Sequence, residues 1–230
     1  MRRCPSLLCF CAGLWVLLVC LSFPVCAEEI ADGLQYEGPY KLKGPKNLFM
    51  DYPSENEDGT VTVVVEIPTG TLEKWQVVKP DGYLEWEFQK GQPRIVSYLG
   101  YPGNYGMIPQ TVLDKEFGGD GDPLDVIVLG QAVPRGSVIK VRILGVLMLT
   151  DGGEVDDKII AVLESSPMAS CKTLQELDKK FPGALSIVQT WFENYKGPGK
   201  LQSNGYKKRK EALKVIRQAH AAFKKKYATP

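Results

Sequence analysis

Glycine and proline turns cut residues 60–162 into short runs rich in β-branched side chains. Such a stretch cannot build long helices, and no single run in it can bury a core by itself. The pattern predicts strands over 60–67, 74–78, 84–88, 94–96, 125–129, 137–148 and 158–162, split by Pro80-Asp81-Gly82 and Gly91-Gln92-Pro93 among other turns. Residues 101–106, rich in glycine and tyrosine, read as a loop. Many short strands at turn-punctuated intervals predict a closed or nearly closed barrel. The last third changes period. Thr173 can cap a helix running through Lys180. Pro182 opens a second, on which Leu185, Val188, Phe192 and Tyr195 recur at helical spacing, and Gly197-Pro198-Gly199 ends it. A final helix from about Lys208 to Tyr227 carries Leu213, Ile216 and Phe223 on one face. Strands followed by helices predict an α+β fold with the helices packed on the barrel.

Near the start, Arg2 and Arg3 precede an apolar stretch over 7–23, and Val25-Cys26-Ala27 puts small residues where a signal peptidase cuts. Residues 1–27 are therefore expected to be a signal peptide, with Glu28 the first residue of the mature chain. The alternative is an uncleaved anchor, because roughly 17 apolar residues nearly span a bilayer. The expected location is exported, periplasmic or secreted, with no membrane attachment once the signal is gone. Five of the six cysteines fall in this leader, which leaves Cys171 alone and no internal disulfide. Removing Arg2 and Arg3 takes the formal charge from +1 to −1, so global charge gives no reason to expect nucleic acid as a partner. Residues 28–57 read as an extended arm, and residues 28–230 as one domain without internal repeats.

Residues 119–125 read G-D-G-D-P-L-D and place three carboxylates at the mouth of the apolar run Val126-Ile127-Val128-Leu129. Like charges this close repel unless a cation or basic cluster neutralises them. Hard oxygen ligands suit Mg²⁺, Mn²⁺ or Ca²⁺ rather than zinc or copper. An acidic surface turn would use the same residue types. A helix-loop-helix calcium site is excluded, because Leu124 and Asp125 stand where an oxygen ligand and a glycine belong. Asp120 and Asp122, two apart, point the same way in an extended segment, and Asp125 re-enters at the next strand. A second acidic group, Asp151, Glu154, Asp156 and Asp157, is closed by Lys158. Two such clusters at strand ends suggest a multi-metal site and chemistry on a phosphoryl group.

The block D-G-D-P-L-D-V resembles the signature of the Mg²⁺-dependent, barrel-fold family of soluble inorganic pyrophosphatases (family I). The resemblance continues in order through V-V-E-I-P at 64–68, E-K-W at 73–75, Arg94, N-Y-G at 104–106, T-D-G-G-E-V-D-D-K at 150–158 and E-N-Y-K at 193–196. It implies a distorted five-stranded, OB-like β-barrel with flanking C-terminal helices, and hydrolysis of pyrophosphate to two phosphates. Several Mg²⁺ ions, with Mn²⁺ as a substitute, would be held by Asp120, Asp125, Asp151 and Asp156, with Glu66 lining the site among them. Asp122 would be the base that helps deprotonate the attacking water. Lys74, Arg94, Tyr105, Lys158, Tyr195 and Lys196 would grip the phosphates. The residue types agree with those roles: arginine offers a planar fork, lysine a point charge, and tyrosine a donor that leaves the charge unchanged. The family also forms homo-oligomers.

The chain departs from the family at Gln76, where an acid that helps bind a fourth metal is usual. A neutral amide there predicts activity with a shifted metal dependence. Two rivals to the pyrophosphatase reading remain: a phosphoanhydride hydrolase acting on nucleotides or polyphosphate, and a non-catalytic metal- or phosphate-binding protein. Elsewhere the sequence predicts ordinary roles. His220 reads as a surface or packing residue and Cys171 as a small buried one. Trp75, Trp86 and Trp191 read as core or rim aromatics, and the basic runs at 207–210 and 224–226 as a solvated helix face.

Overall fold

The computed structural model describes residues 29–227; the leader expected at residues 1–27 lies outside them. The elements run β1 (Gln35–Tyr36), β2 (Lys41–Lys43), β3 (Val61–Ile67), β4 (Trp75–Val77), β5 (Leu84–Trp86), β6 (Phe88–Gln89), β7 (Gln92–Pro93), β8 (Asn104–Met107), β9 (Asp125–Leu129) and β10 (Val138–Asp151). They continue with β11 (Glu154–Val155), β12 (Lys158–Leu163), α1 (Leu174–Lys180), α2 (Ala184–Asn194), β13 (Leu201–Lys208) and α3 (Arg209–Tyr227).

Five strands close a ring in the order β10-β12-β9-β8-β3, with β3 returning to β10. The ring is antiparallel except for β12 against β9. This is the expected distorted five-stranded OB-like barrel with helices from the C-terminal part of the chain. Closure depends on β10, whose early residues pair with β3 (Val138↔Val64), whose middle pairs with β12, and whose far end pairs with β11 and β13. Alternate residues of the ring strands enter two clusters. Ile127 and Leu129 join Leu177, Trp191 and Phe192 from α1 and α2. Val126 and Val128 join Val63, Ile143, Ile159 and, from α3, Ala212 and Ile216. Because both faces are covered, β3 and β12 are buried at every position and are mostly apolar, broken only by Thr62 and Glu66 in β3 and Lys158 at the start of β12.

Several expectations need correction. Residues 94–96 form no strand: the Arg94 amide bonds Glu87 and the Val96 amide bonds Leu72, so two segments share the backbone that one ladder would have used. The turn-rich piece that expected loop 101–106 ends in is β8, a buried ring strand. Its glycine is needed there, since a Cβ on Gly106 would lie 1.9 Å from the Val64 carbonyl oxygen of β3. The second helix starts at Ala184 rather than at Pro182, because Gly183 at φ 87° is left-handed and cannot continue a helix begun before it. Residues 201–208, too polar to show a strand pattern, pair with β10 as β13. Thr173 caps α1 as expected, accepting from the Glu176 amide at 3.1 Å.

Residues 35–43 make strands that pair with β5, and β5 pairs with β4, giving a second sheet, β1-β2-β5-β4. This sheet packs Leu42, Trp75, Val77 and Leu84 with Phe49 and with Phe223 of α3. It fixes β4, on which the site depends. Cys171 is fully buried, and the His220 ring lies 2.8 Å from the Gln110 carbonyl oxygen and stacks on Phe223. No described helix is long and apolar enough to cross a membrane.

Candidate active site

Strand β3 supplies Glu66 at a break in register between Val65 and Ile67 against β8. Such a bulge re-aims a side chain. The Glu66 carboxylate accepts from the Val77 amide of β4 at 2.7 Å, and its carbonyl accepts from the buried Arg135 guanidinium. Burial pushes its carboxyl up to about 7, against the pull of Lys74 and the Val77 amide.

Glu66, Lys74, Tyr105, Asp120, Asp122 and Asp125 line one cavity of about 350 Å³, a size suited to a small ligand. Lys74 lies over the Tyr105 ring, 4.8 Å from its centroid. Asp125 opens β9 and Lys158 opens β12, and the parallel pairing of those strands sets the two side by side. The Lys158 ammonium, only 2% exposed, bonds both Asp125 and Asp156. Burial alone would lower its pKa, but the two carboxylates more than reverse this and hold it charged. For Asp125, burial acts upward, yet Lys158, Lys74 and a hydrogen bond from Tyr105 keep it below the usual carboxylate range. Burial raises Asp156 and Asp120. It also raises the Tyr105 hydroxyl well above its ordinary value, which keeps it a neutral donor.

Beside Asp156, Lys196 pairs with Asp151 and sits 5.6 Å from the centre of the Tyr195 ring. Arg94 is held by Glu87 at 2.7 Å, and Glu87 lines the cavity. The candidate residues thus form several local groups: Asp125 and Asp156 on Lys158, Asp151 on Lys196, Arg94 on Glu87, and Lys74 over Tyr105. The second acidic group divides. Asp151 and Asp156 face lysines, whereas Asp157 turns away to accept from the buried Leu149 amide at 3.0 Å, and Glu154 is exposed. Neighbouring positions in an extended segment point to opposite faces.

Three cavity residues were not anticipated from the sequence. Lys79 bonds Asp122 and the Gly121 carbonyl, and Glu85 and Glu87 line the wall from the β4–β5 sheet. The alternation in L-E-W-E-F would have placed both glutamates on one face. Gln76 also lines the cavity, directly opposite Glu85 in the ladder.

The donor set is hard oxygen interleaved with ammonium groups, which fits divalent cations of the Mg²⁺ class together with an oxyanion. Among the described residues, no three acid groups are gathered closely enough to ligate one ion as they stand. Asp125 and Asp156 are instead engaged by Lys158, and Asp151 by Lys196.

A closed barrel whose rim alternates carboxylates with lysine, arginine and tyrosine defines an enzyme site for a small polyanion. The family model described as inorganic pyrophosphatase matches residues 63–224, and the chain belongs to that family. It is 35% identical over 213 residues to a chloroplastic soluble inorganic pyrophosphatase of Chlamydomonas reinhardtii, covering 84% of this chain and 75% of the relative. It is 33% identical to an inorganic pyrophosphatase of Mus musculus, covering 86% and 77%. Among solved structures, an inorganic pyrophosphatase from Schistosoma japonicum superposes with a TM-score of 0.76 at 29% identity, over 86% of this chain and 79% of the other. A type I enzyme from Toxoplasma gondii gives 0.77 at 26% identity, over 84% and 97%.

Proposed function

We propose that this enzyme hydrolyses inorganic pyrophosphate to two orthophosphates with Mg²⁺, outside the cytoplasm, after loss of residues 1–27. The observation that carries this reading is the convergence of Asp125, Asp156 and Lys158 from paired strands in a chain of this family. Asp120, Asp125, Asp151 and Asp156 would hold the metal ions, with Glu66 behind them. Bound metal supplies a water of lowered pKa and screens the phosphate oxygens.

The remaining chemistry belongs to the side chains. Asp122, at the exposed mouth, takes the proton of the attacking water. The oxygen of that water bonds to one phosphorus as the bond from that phosphorus to the bridging oxygen breaks. Lys158, Lys196, Arg94 and Lys74 would neutralise charge that spreads over the phosphate oxygens. Tyr105 and Tyr195 add donors without adding charge. The cavity wall is chiefly charged, with Lys74, Lys79, Glu85 and Glu87 beside the aspartates, which favours a small polyanion such as pyrophosphate over nucleotides. A homo-oligomer is expected.

Phosphate release from pyrophosphate across a Mg²⁺ titration, with Asp122→Ala as control, tests the reading. Fast release that collapses in the control supports it. A folded protein that releases no phosphate at any Mg²⁺ or Mn²⁺ level would refute it and turn attention to nucleotides and polyphosphate. Export is checked by locating the processed protein and sequencing its N-terminus.

A further inference from the structure

Lys79 projects from the turn between β4 and β5, and its ammonium donates to the Gly121 carbonyl at 2.7 Å and to the Asp122 carboxylate. We propose that Lys79 is a positioning residue for the water-activating carboxylate, tying the 119–125 loop to the β4–β5 turn; this rests on the pyrophosphatase reading above.

Both partners of the tether are themselves held. On the lysine side, the turn closes through the Gly82 amide to the Val78 carbonyl at 2.7 Å and the Val78 amide to the Tyr83 carbonyl at 2.9 Å. Asn47 braces it from outside, donating to the Pro80 carbonyl at 2.7 Å and accepting from the Phe49 and Met50 amides. The fit leaves no room for a side chain, since a Cβ on Gly82 would lie 1.9 Å from the Asn47 Oδ1. On the loop side, Leu113 accepts from the Gly121 amide and donates to the Asp122 carbonyl, each at 2.8 Å. The Asp122 amide donates to Asp120 at 2.7 Å. These bonds hold one side of the loop, while Lys79 ties the Gly121 carbonyl and the Asp122 carboxylate, 62% exposed, on the other.

An exposed ion pair contributes little to stability. Its second bond, to a backbone carbonyl, makes this one a geometric constraint, because it fixes where the carboxylate hangs and not only that it is paired. A reacting group misplaced by about 1 Å costs on the order of 10²-fold in rate. The role therefore predicts a loss in turnover without a loss of fold or of substrate affinity.

The test uses the full purified protein with Lys79→Ala, Lys79→Gln and Lys79→Arg, read by steady-state kinetics on pyrophosphate and by amide hydrogen exchange. Alanine and glutamine should lower kcat by about 10- to 100-fold, leave KM within about 2-fold, and speed exchange at residues 119–125 with the thermal midpoint unmoved. Arginine, which can still donate to both partners, should restore part of kcat. Unchanged exchange overturns the tether, and faster exchange with unchanged kcat overturns the positioning role. A raised KM with intact kcat makes Lys79 a substrate-binding residue instead, which also overturns the proposal. If alanine unfolds the chain, glutamine decides. Wild-type protein without turnover would instead refute the pyrophosphatase reading and the catalytic role with it, and exchange would still decide whether the tether exists.

Discussion

At the inner end of the site, Lys158 is 2% exposed, sits between Asp125 and Asp156, and is placed by paired strands of the ring. At the mouth, Asp122 is 62% exposed, belongs to a glycine- and proline-bearing turn, and is partnered by Lys79 from another turn. Both ends pair an ammonium with carboxylate, yet the surroundings differ in kind. The inner groups have lost most of their water, so their mutual attraction carries the cost of burial and neither partner can be removed alone. At the mouth the Asp122 carboxylate keeps most of its water, so pairing with Lys79 sets geometry and contributes little to folding. Buried and exposed carboxylate–ammonium pairs thus occupy differently built parts of one rim.

Breaking the inner end should have the largest effect. Lys158→Met leaves two buried carboxylates facing each other, so unfolding stability should fall by about 3–5 kcal/mol, together with phosphate release. Urea denaturation and turnover measured on one preparation check this. A variant as stable as wild type would erase the distinction between the ends.

Asp122→Asn attacks the other end. Turnover should drop by about 10²- to 10⁴-fold, as for loss of a general base, while the urea midpoint stays within error. Loss of stability comparable to that of Lys158→Met would show that the mouth is built like the interior.

Glu66 sharpens the comparison through pH. Its folded pKa of about 7 lies above the ordinary 4.5, so the folded state keeps a proton that the unfolded state releases. Stability contributed by this group is therefore full below about pH 4.5 and lost as pH rises to about 7, a change of ~3 kcal/mol. Asp120 and Asp156 act in the same sense, and Asp125 in the opposite one. Thermal melts of chelator-treated protein should show the decline, and Glu66→Gln should flatten it.

The smallest effect is expected at Gln76. Gln76→Glu should lower the Mg²⁺ activation midpoint severalfold, and without metal it should cost roughly 0.2–1 kcal/mol because Glu85 lies directly opposite. An unchanged Mg²⁺ curve would remove Gln76 from the metal balance.

How much of this was legible depended on whether a residue's role was local. β3, β9 and β12 announced themselves as buried β-branched runs, and Thr173 as a cap. The two acidic blocks stood out because several like charges within a few positions need an explanation. β8 was hidden because its glycine answers to the passing backbone of β3, a contact across 42 residues of chain. β13 was hidden because its polar residues owe their strand geometry to β10. In the site, Asp156 and Asp157 are indistinguishable in composition, and only the pleat decides which one faces Lys158. Lys79 carried no signal at all, since its partner arrives from a distant loop.

The ring closes only when β10 can reach β3 upstream and β12 just after it, and β13, from much later in the chain, adds a further strand to β10. Lys196, which completes the inner rim on Asp151, arrives as late. A nascent chain that has emerged as far as the second acidic block therefore carries every carboxylate of the site but neither β12, which closes the ring, nor the lysines Lys158 and Lys196 that face those acids. The catalyst appears only after the last quarter of the polypeptide has been synthesised and docked. Its onset waits on residues that lie beyond its acids.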